Sequence, residues 1–487
     1  MAPAVTRRSK TLALVLLASA QFIVVLDASI VNVALPSIGR DLSFVQGDLS
    51  WVVNAYTLTF GGFLLLGGRL ADLLGRRRVF IAGAVLFALA SLAGGLAQSD
   101  LQLIAARAVQ GMGAALISPA ALAILTTTFA EGAERNKALG AWGAVAGSGG
   151  AAGVLLGGVL TDALSWEWVL YVNIPIAAGA ALLAPRLLEE SRRATASSFD
   201  VPGAVSVTAG LAILVYALVD AEQAGWASTQ TLVLLPVALA LLATFIAIEW
   251  RSRSPLMPFS IFRLRTLRGA NVVGLLVGMS LFSMFFFISL YLQQVLGYEP
   301  LKAGLAYLPL SVLIVVSAGA ASQLVTRIGF KPSLVTGMVF IAAGLLWFSQ
   351  VSPDGTYVGD VLFPSMLAAI GLGFSFVPVT IAAVTGTEPG EAGLASGMLN
   401  TTQQVGGALG LAIAAAVANS TTSDVFAGGE RDRAVALTEG FQDAFLVCAG
   451  FAILGAVLAA VLISSKDSRE HAEAARRGEV EAVPVAG

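Results

Sequence analysis

The chain has 487 residues, of which 57% are hydrophobic and 12% charged, and its formal net charge is −2. Soluble domains carry about 25% charged residues, so this composition describes a membrane-embedded chain, and its near-neutral balance offers no basic surface for nucleic acid. A single Cys448 and a single His471 exclude an intrachain disulfide and a zinc site of the usual ligands. No metal and no cofactor is expected; Cys448 reads as inert packing and His471 as a solvated tail residue.

Residues 1–11 form a basic N-terminus with Arg7, Arg8 and Lys10. Ala18-Ser19-Ala20 resembles a signal-peptidase site, but the apolar run continues to Pro36, so the reading is an uncleaved first span. A spanning helix needs about 20 mostly apolar residues. In chain order the candidates are 12–36, 49–68, 79–97, 101–125, 138–160, 168–188, 201–219, 230–249, 269–293, 304–326, 333–350, 359–384, 393–418 and 441–464, fourteen in all. Twenty-three of the 28 Lys and Arg residues then fall on one set of loops and ends, four fall on the other, and Arg107 is left inside a span. The positive-inside rule places both termini in the cytoplasm.

The chain echoes itself in three places. "LADLLGRR" (70–77) after the second span answers "LVTRIGFK" (324–331) after the tenth. "GMG" with Pro119 answers "GLG" with Pro378, and "GGAAG" (149–153) answers "GGALG" (406–410). Three echoes in order at nearly constant offset predict a six-helix half over 12–188, two inserted helices over 201–249, a second half over 269–464 and a disordered cytoplasmic tail over 465–487. Such paired repeats are the architecture of secondary transporters, which hold substrate between the halves near mid-membrane.

Between spans two and three, "GRLADLLGRRR" (68–78) sets Gly68, Asp72 and Gly75 before Arg76, Arg77 and Arg78. Anchoring a loop in the cytoplasm needs the arginines only. The whole pattern resembles the cytoplasmic signature of the major facilitator superfamily. "LDASIVNVALP" (26–36), "RAVQGMGAA" (107–115), "SWEWVLYVNIPIA" (165–177), "LYLQQVLGY" (290–298) and "GLASGMLNTTQQVGGALG" (393–410) resemble its fourteen-span drug:proton antiporters. The resemblance implies an all-α integral membrane protein of the major-facilitator fold that exports drugs or antibiotics in exchange for protons. Two residues depart from the family pattern. Val154 stands where the span-five motif usually has Pro, and Glu167 stands between two Trp where Arg is usual. The glycine stripe through Gly143, Gly147, Gly150, Gly153 and Gly157 remains, and Gly153, Gly157 and Gly158 are the expected sites of antiporter-type close helix packing.

Asp27 poses the sharpest question, because a charge at mid-membrane costs at least ~2.5–3.5 kcal/mol on insertion scales. Its own helical strip holds only Leu16, Ala20, Ile23, Val24, Val31 and Ala34, so its partners must come from another helix. Counting ~1.5 Å per residue puts Asp27 and Arg107 at similar depth, and Arg107 shares a small, polar face with Gln110, Gly111, Ala114 and Ser118. The expectation is that Asp27 binds the transported proton and Arg107 sets its release; a permanent structural ion pair is the other reading. The resemblance assigns coupling to the same two positions.

Glu388 and Glu391 lie in a loop without Lys or Arg and are candidates to latch onto Arg76 or Arg77. Substrate-cavity candidates are Asn54, Tyr56, Gln110, Phe286, Gln293, Asn400, Gln403 and Gln404, although helix–helix hydrogen bonding explains each equally well. No phosphate-binding G-x-x-x-x-G-K-[ST] loop and no nucleophile–base constellation occur, which argues against ATP drive within this chain and against an enzyme. The expected protein is a monomeric, multi-pass transporter of the bacterial cytoplasmic membrane whose partners are an amphipathic small molecule, protons and the bilayer. Proton-coupled import or symport of a metabolite is the alternative.

Overall fold

The structure is a computed structural model and describes residues 7–129, 133–191, 201–225, 228–252, 263–386 and 392–476. Every regular element among them is helical. That is the local solution for an apolar chain in lipid, because a helix satisfies each backbone N–H and C=O within its own segment.

In chain order the helices are α1 (Arg7–Asp41), α2 (Trp51–Leu74), α3 (Arg76–Gly95), α4 (Asp100–Thr128), α5 (Ala133–Ala163), a single turn α6 (Trp168–Tyr171) and α7 (Asn173–Leu187). The central pair is α8 (Val201–Ala224) and α9 (Thr229–Arg251). Then come α10 (Arg265–Leu290), short α11 (Pro300–Ala306), α12 (Leu308–Ile328), α13 (Phe330–Phe348), α14 (Phe363–Val384), α15 (Ala392–Ala427), α16 (Arg433–Leu462) and α17 (Ser465–Arg476). Each of the fourteen expected segments falls on these helices, and eleven helical stretches among the described residues are long and apolar enough to cross a membrane. The helices overrun the apolar segments at several ends, as α1 does on both sides, because backbone hydrogen bonding continues after hydrophobicity stops. The expectation of a disordered tail is corrected over Ser465–Arg476, which is helical.

The helices pair in two parallel sets. In the first, α1 packs on α5, α2 and α3 each pack on α4, and α3 packs on α7. In the second, α10 packs on α15, α12 and α13 each pack on α14, and α13 packs on α16. The sequence echoes fall on corresponding members. The helices α8 and α9 pack on each other, and α8 also touches α2 and α15, so the inserted pair lies beside the seam where α2 meets α15. The two sets also meet where α11 and α12 touch α5.

Glycine decides the closest crossings. A Cβ at Gly153 would stand 2.7 Å from the Leu26 carbonyl oxygen, and one at Gly157 would stand 2.5 Å from that of Ile30. These two residues let α5 lie directly on the stretch of α1 that carries Asp27. Gly158 meets the other set, its Cβ position lying 2.7 Å from the Pro300 carbonyl oxygen. The missing proline leaves α5 uninterrupted through Val154.

Two glycine turns follow one plan. Gly75 (φ +108°) and Gly329 (φ +88°) join the second and third helices of each set, a backbone region that side chains rarely enter. Each leaves open N–H groups at the start of the next helix. At α3 the segment after α7 fills them: Arg76 N–H donates to the Ser191 carbonyl (3.1 Å) and Arg77 N–H to Glu190 Oε1 (3.2 Å). At α13 the helix α17 does so, with Lys331 N–H donating to Ser468 Oγ (3.0 Å). There Lys331 Nζ also donates to Ser465, Thr266 hydrogen-bonds Asp467, and His471 lies edge-on to Phe330. His471 is therefore half-buried on the fold rather than solvated, and burial holds its pKa below the usual 6.5.

Candidate functional site

Asp27 and Arg107 meet inside the first set of helices. They are 0% and 1% exposed, and Arg107 Nη1 lies 2.5 Å from Asp27 Oδ2. An isolated buried charge is very costly, and here α4 and α7 supply the compensation. Gln110 Nε2 donates to Asp27 Oδ1 at 2.8 Å, and Asn173 Nδ2 donates to the same oxygen at 2.7 Å. Both carboxylate oxygens thus accept hydrogen bonds, the arrangement that suits an ionised group.

The guanidinium is fixed as firmly. Arg107 Nε donates to the Val52 carbonyl (2.9 Å), Nη1 also donates to Gln110 Oε1 (2.7 Å), and the cation sits 4.3 Å from the Tyr56 ring centroid. Tyr56 is held in turn by its hydroxyl, which donates to the Val24 carbonyl at 2.9 Å. Gln110 continues the chain, donating to Ser91 Oγ (2.9 Å), whose hydroxyl donates to the Phe87 carbonyl (2.7 Å). Gly111, next on α4, has no room for a Cβ against Thr59 and the Tyr56 carbonyl, so it lets α4 press onto α2 and bring Arg107 up to Val52 and Tyr56.

Asn173 comes from the sixth span, whose backbone stays helical through Val172 (φ −59°, ψ −25°) between α6 and α7. Pro175 has no N–H to give to the Tyr171 carbonyl four residues back. Asn173 was not among the residues expected from the sequence; an amide two residues before a mid-span proline was the available signal. Ser91 carried no such signal, since buried hydroxyls in membrane helices commonly bond their own i−4 carbonyl, as this one does.

A second polar contact joins the two sets at the far end of α1. Pro36 removes the N–H that would bond the Asn32 carbonyl, and its ring crowds that turn. Ser289 Oγ donates to the bared Asn32 carbonyl at 2.6 Å, and Gln293 Nε2 donates to the Val33 carbonyl at 2.9 Å and to Ser289 Oγ at 3.1 Å. Ser289 was not among the sequence candidates; Gln293 was, as a cavity residue.

The cavity candidates divide among several environments. Tyr56 and Gln110 belong to the Asp27 cluster. Gln293 belongs to the Pro36 contact. Phe286 is 3% exposed and packs edge-on to Phe287. Asn54 is fully buried, with neither amide atom hydrogen-bonded among the described residues. The backbone of Gln403 packs on Gly278, and the Cβ of Gln404 packs on Gly61 of α2. Asn400 is half-buried.

In the loop motif, Gly68 faces Pro119 at ordinary contact distance. Arg76 Nη1 donates to the Ala123 carbonyl (3.4 Å) and Arg77 Nη1 to that of Leu188 (3.1 Å). Glu190 lies 3.8 Å from Arg77 and 3.7 Å from Arg78. The Asp72 side chain, Glu388 and Glu391 lie outside the described residues. Glu167 caps α6 through its carbonyl, while its Oε2 is buried without a partner among the described residues.

Comparison with known proteins places the chain. A family profile described as the Major Facilitator Superfamily matches residues 17–411. The chain is 43% identical to the cephamycin export protein CmcT of Amycolatopsis lactamdurans, over 93% of this chain and 92% of that one. It is 41% identical to the puromycin resistance protein pur8 of Streptomyces alboniger, over 93% and 91% of the two chains. Among solved structures it is similar to a POT family peptide transporter, with a TM-score of 0.68 at 18% identity over 93% of this chain and 96% of that one. It is similar also to a bacterial homologue of the human lysosomal transporter Spinster, with a TM-score of 0.65 at 15% identity over 96% and 99%.

Proposed function

Because the chain belongs to the major facilitator superfamily, we propose that it exports amphipathic small molecules, antibiotics among them, across a bacterial cytoplasmic membrane in exchange for protons. It is a membrane transporter and not an enzyme. In this reading fourteen spans form two six-helix bundles that rock about the substrate, α8 and α9 are the inserted pair, both termini are cytoplasmic and the working unit is a monomer. The bias of Lys and Arg to one side supports the orientation. The words export and resistance in the names of the two relatives support the direction.

The buried Asp27–Arg107 pair carries the proton reading. Asp27 is the proton carrier and Arg107 the group that governs it. With the guanidinium in place, donors to both carboxylate oxygens favour the ionised form. Movement of α4 relative to α1, or a cationic substrate near the site, weakens that hold and lets the carboxylate take up a proton. In this reading the clamp of Ser289 and Gln293 on α1 closes the outer mouth.

Asp27→Asn keeps the side-chain volume and loses the titrating oxygen. In everted vesicles the variant should still bind substrate and exchange it for labelled substrate, but show no substrate-driven proton movement. Wild-type proton movement in that variant would remove Asp27 from the mechanism. The same vesicles decide direction, since an exporter accumulates substrate when their lumen is acid and an importer does not.

A further inference from the structure

Three groups hold Asp27, and they differ in their freedom to change. Arg107 can only donate. Gln110 is locked at both amide atoms: its nitrogen donates to Asp27 and Ser91, and its oxygen accepts from Arg107. Rotating that amide would break three hydrogen bonds. Asn173 is different. Its nitrogen donates to Asp27 Oδ1, while its Oδ1 is buried with no hydrogen-bond partner among the described residues, in a side chain that is 0% exposed.

We propose that Asn173 is the positioning residue that follows the protonation state of Asp27. When Asp27 is ionised, the Asn173 amide nitrogen donates to it. When Asp27 carries the transported proton, the amide rotates by half a turn and its oxygen accepts the new carboxyl O–H. Either orientation turns one amide atom toward Asp27 and leaves the other in the apolar surround. The two states therefore carry the same number of unpaired amide atoms. A side chain that could only donate would face the protonated carboxyl with the wrong polarity, and one that could only accept would repel the carboxylate. Asn173 lies at the start of α7, where its amide links the sixth span to the coupling carboxyl. Conversion of Asp27 between its two states thereby becomes a change of contact between α1 and α7.

This inference rests on Asp27 being the proton carrier, and the test separates the two ideas. The variants are Asn173→Leu, which keeps the volume and loses both hydrogen-bonding functions, and Asn173→Ser, whose hydroxyl can donate and accept. Each is reconstituted in vesicles and measured for substrate-driven proton movement and for substrate–substrate counterflow, which requires no net proton transfer. Asn173→Leu should lower proton movement by at least about tenfold, the effect of one lost hydrogen bond to a charged group, while counterflow stays near wild type. Asn173→Ser should recover most of the proton movement. Proton movement at the wild-type rate in Asn173→Leu overturns the inference. So does a parallel fall of both activities that Asn173→Ser does not relieve, because that is the mark of a packing role. If Asp27→Asn itself moves protons normally, the carrier reading fails first.

Discussion

Ser289→Ala tests whether the proline of α1 serves the gate between the two helix sets. In the wild type the Asn32 carbonyl lacks its helix partner, because residue 36 is proline, and Ser289 replaces that partner at 2.6 Å. Removing the hydroxyl leaves a buried acceptor unpaired, at a cost of about 1–3 kcal/mol. In the orientation and gating proposed above, opening the outer mouth relieves the loss by letting water reach the carbonyl, so the open-to-closed ratio should rise by about 5- to 150-fold. Ala28 offers a reporter: it lies one turn before Asn32 on the same strip of α1 and is half-buried. The native thiol Cys448 is fully buried and does not compete. In an Ala28→Cys background, right-side-out vesicles treated with a membrane-impermeant maleimide should label faster by that factor when Ser289→Ala is added. Adding Pro36→Ala should reverse the effect, since an alanine at that position returns an N–H to the Asn32 carbonyl. Unchanged labelling in Ser289→Ala, or no reversal by Pro36→Ala, would refute the argument.

The packing of α5 on α1 predicts a contrast within one helix. Gly157→Leu forces side-chain atoms onto the Ile30 carbonyl and should cost about 1–3 kcal/mol as overpacking, read as a lower melting temperature in detergent. Gly150→Ala meets nothing within 4 Å and should leave melting unchanged or slightly raised. In α17, burial against Phe330 favours the neutral form of His471. Its folded pKa lies below the usual 6.5, so α17 docks fully above that pH, and docking weakens as pH falls below it, where the released helix takes up the proton more readily. Amide exchange of α17, corrected for intrinsic rate, should show less protection at acid than at neutral pH. His471→Phe should abolish the difference, and equal protection at both pH values in the wild type counts against it.

Much of the architecture was legible in the sequence because lipid imposes a simple rule. Apolar runs of spanning length mark helices, and Lys and Arg mark one side. A buried carboxylate with an apolar strip around it announces that its partner lies on another helix, and the equal depth of Arg107 named that partner. Gln110 followed from sharing the Arg107 face. The glycine stripe foretold a close crossing, although nothing in the sequence said that Gly153 and Gly157 would press on α1 while Gly158 met α11.

Tertiary structure decided what periodicity cannot. Asn173 reaches Asp27 because α7 packs against α1, and Ser289 finds the Asn32 carbonyl because two distant helices meet where Pro36 leaves that carbonyl open. The C-terminal helix α17 is strongly polar, so hydropathy reads it as tail. It is ordered by an open N–H beyond Gly329 and by the Phe330 ring, both brought to it by a helix that lies far earlier in the chain. Hydropathy and charge are properties of single segments, and they mark which segments are apolar enough to cross a membrane. Which donor meets which acceptor is a property of pairs of segments, and only their packing fixes it.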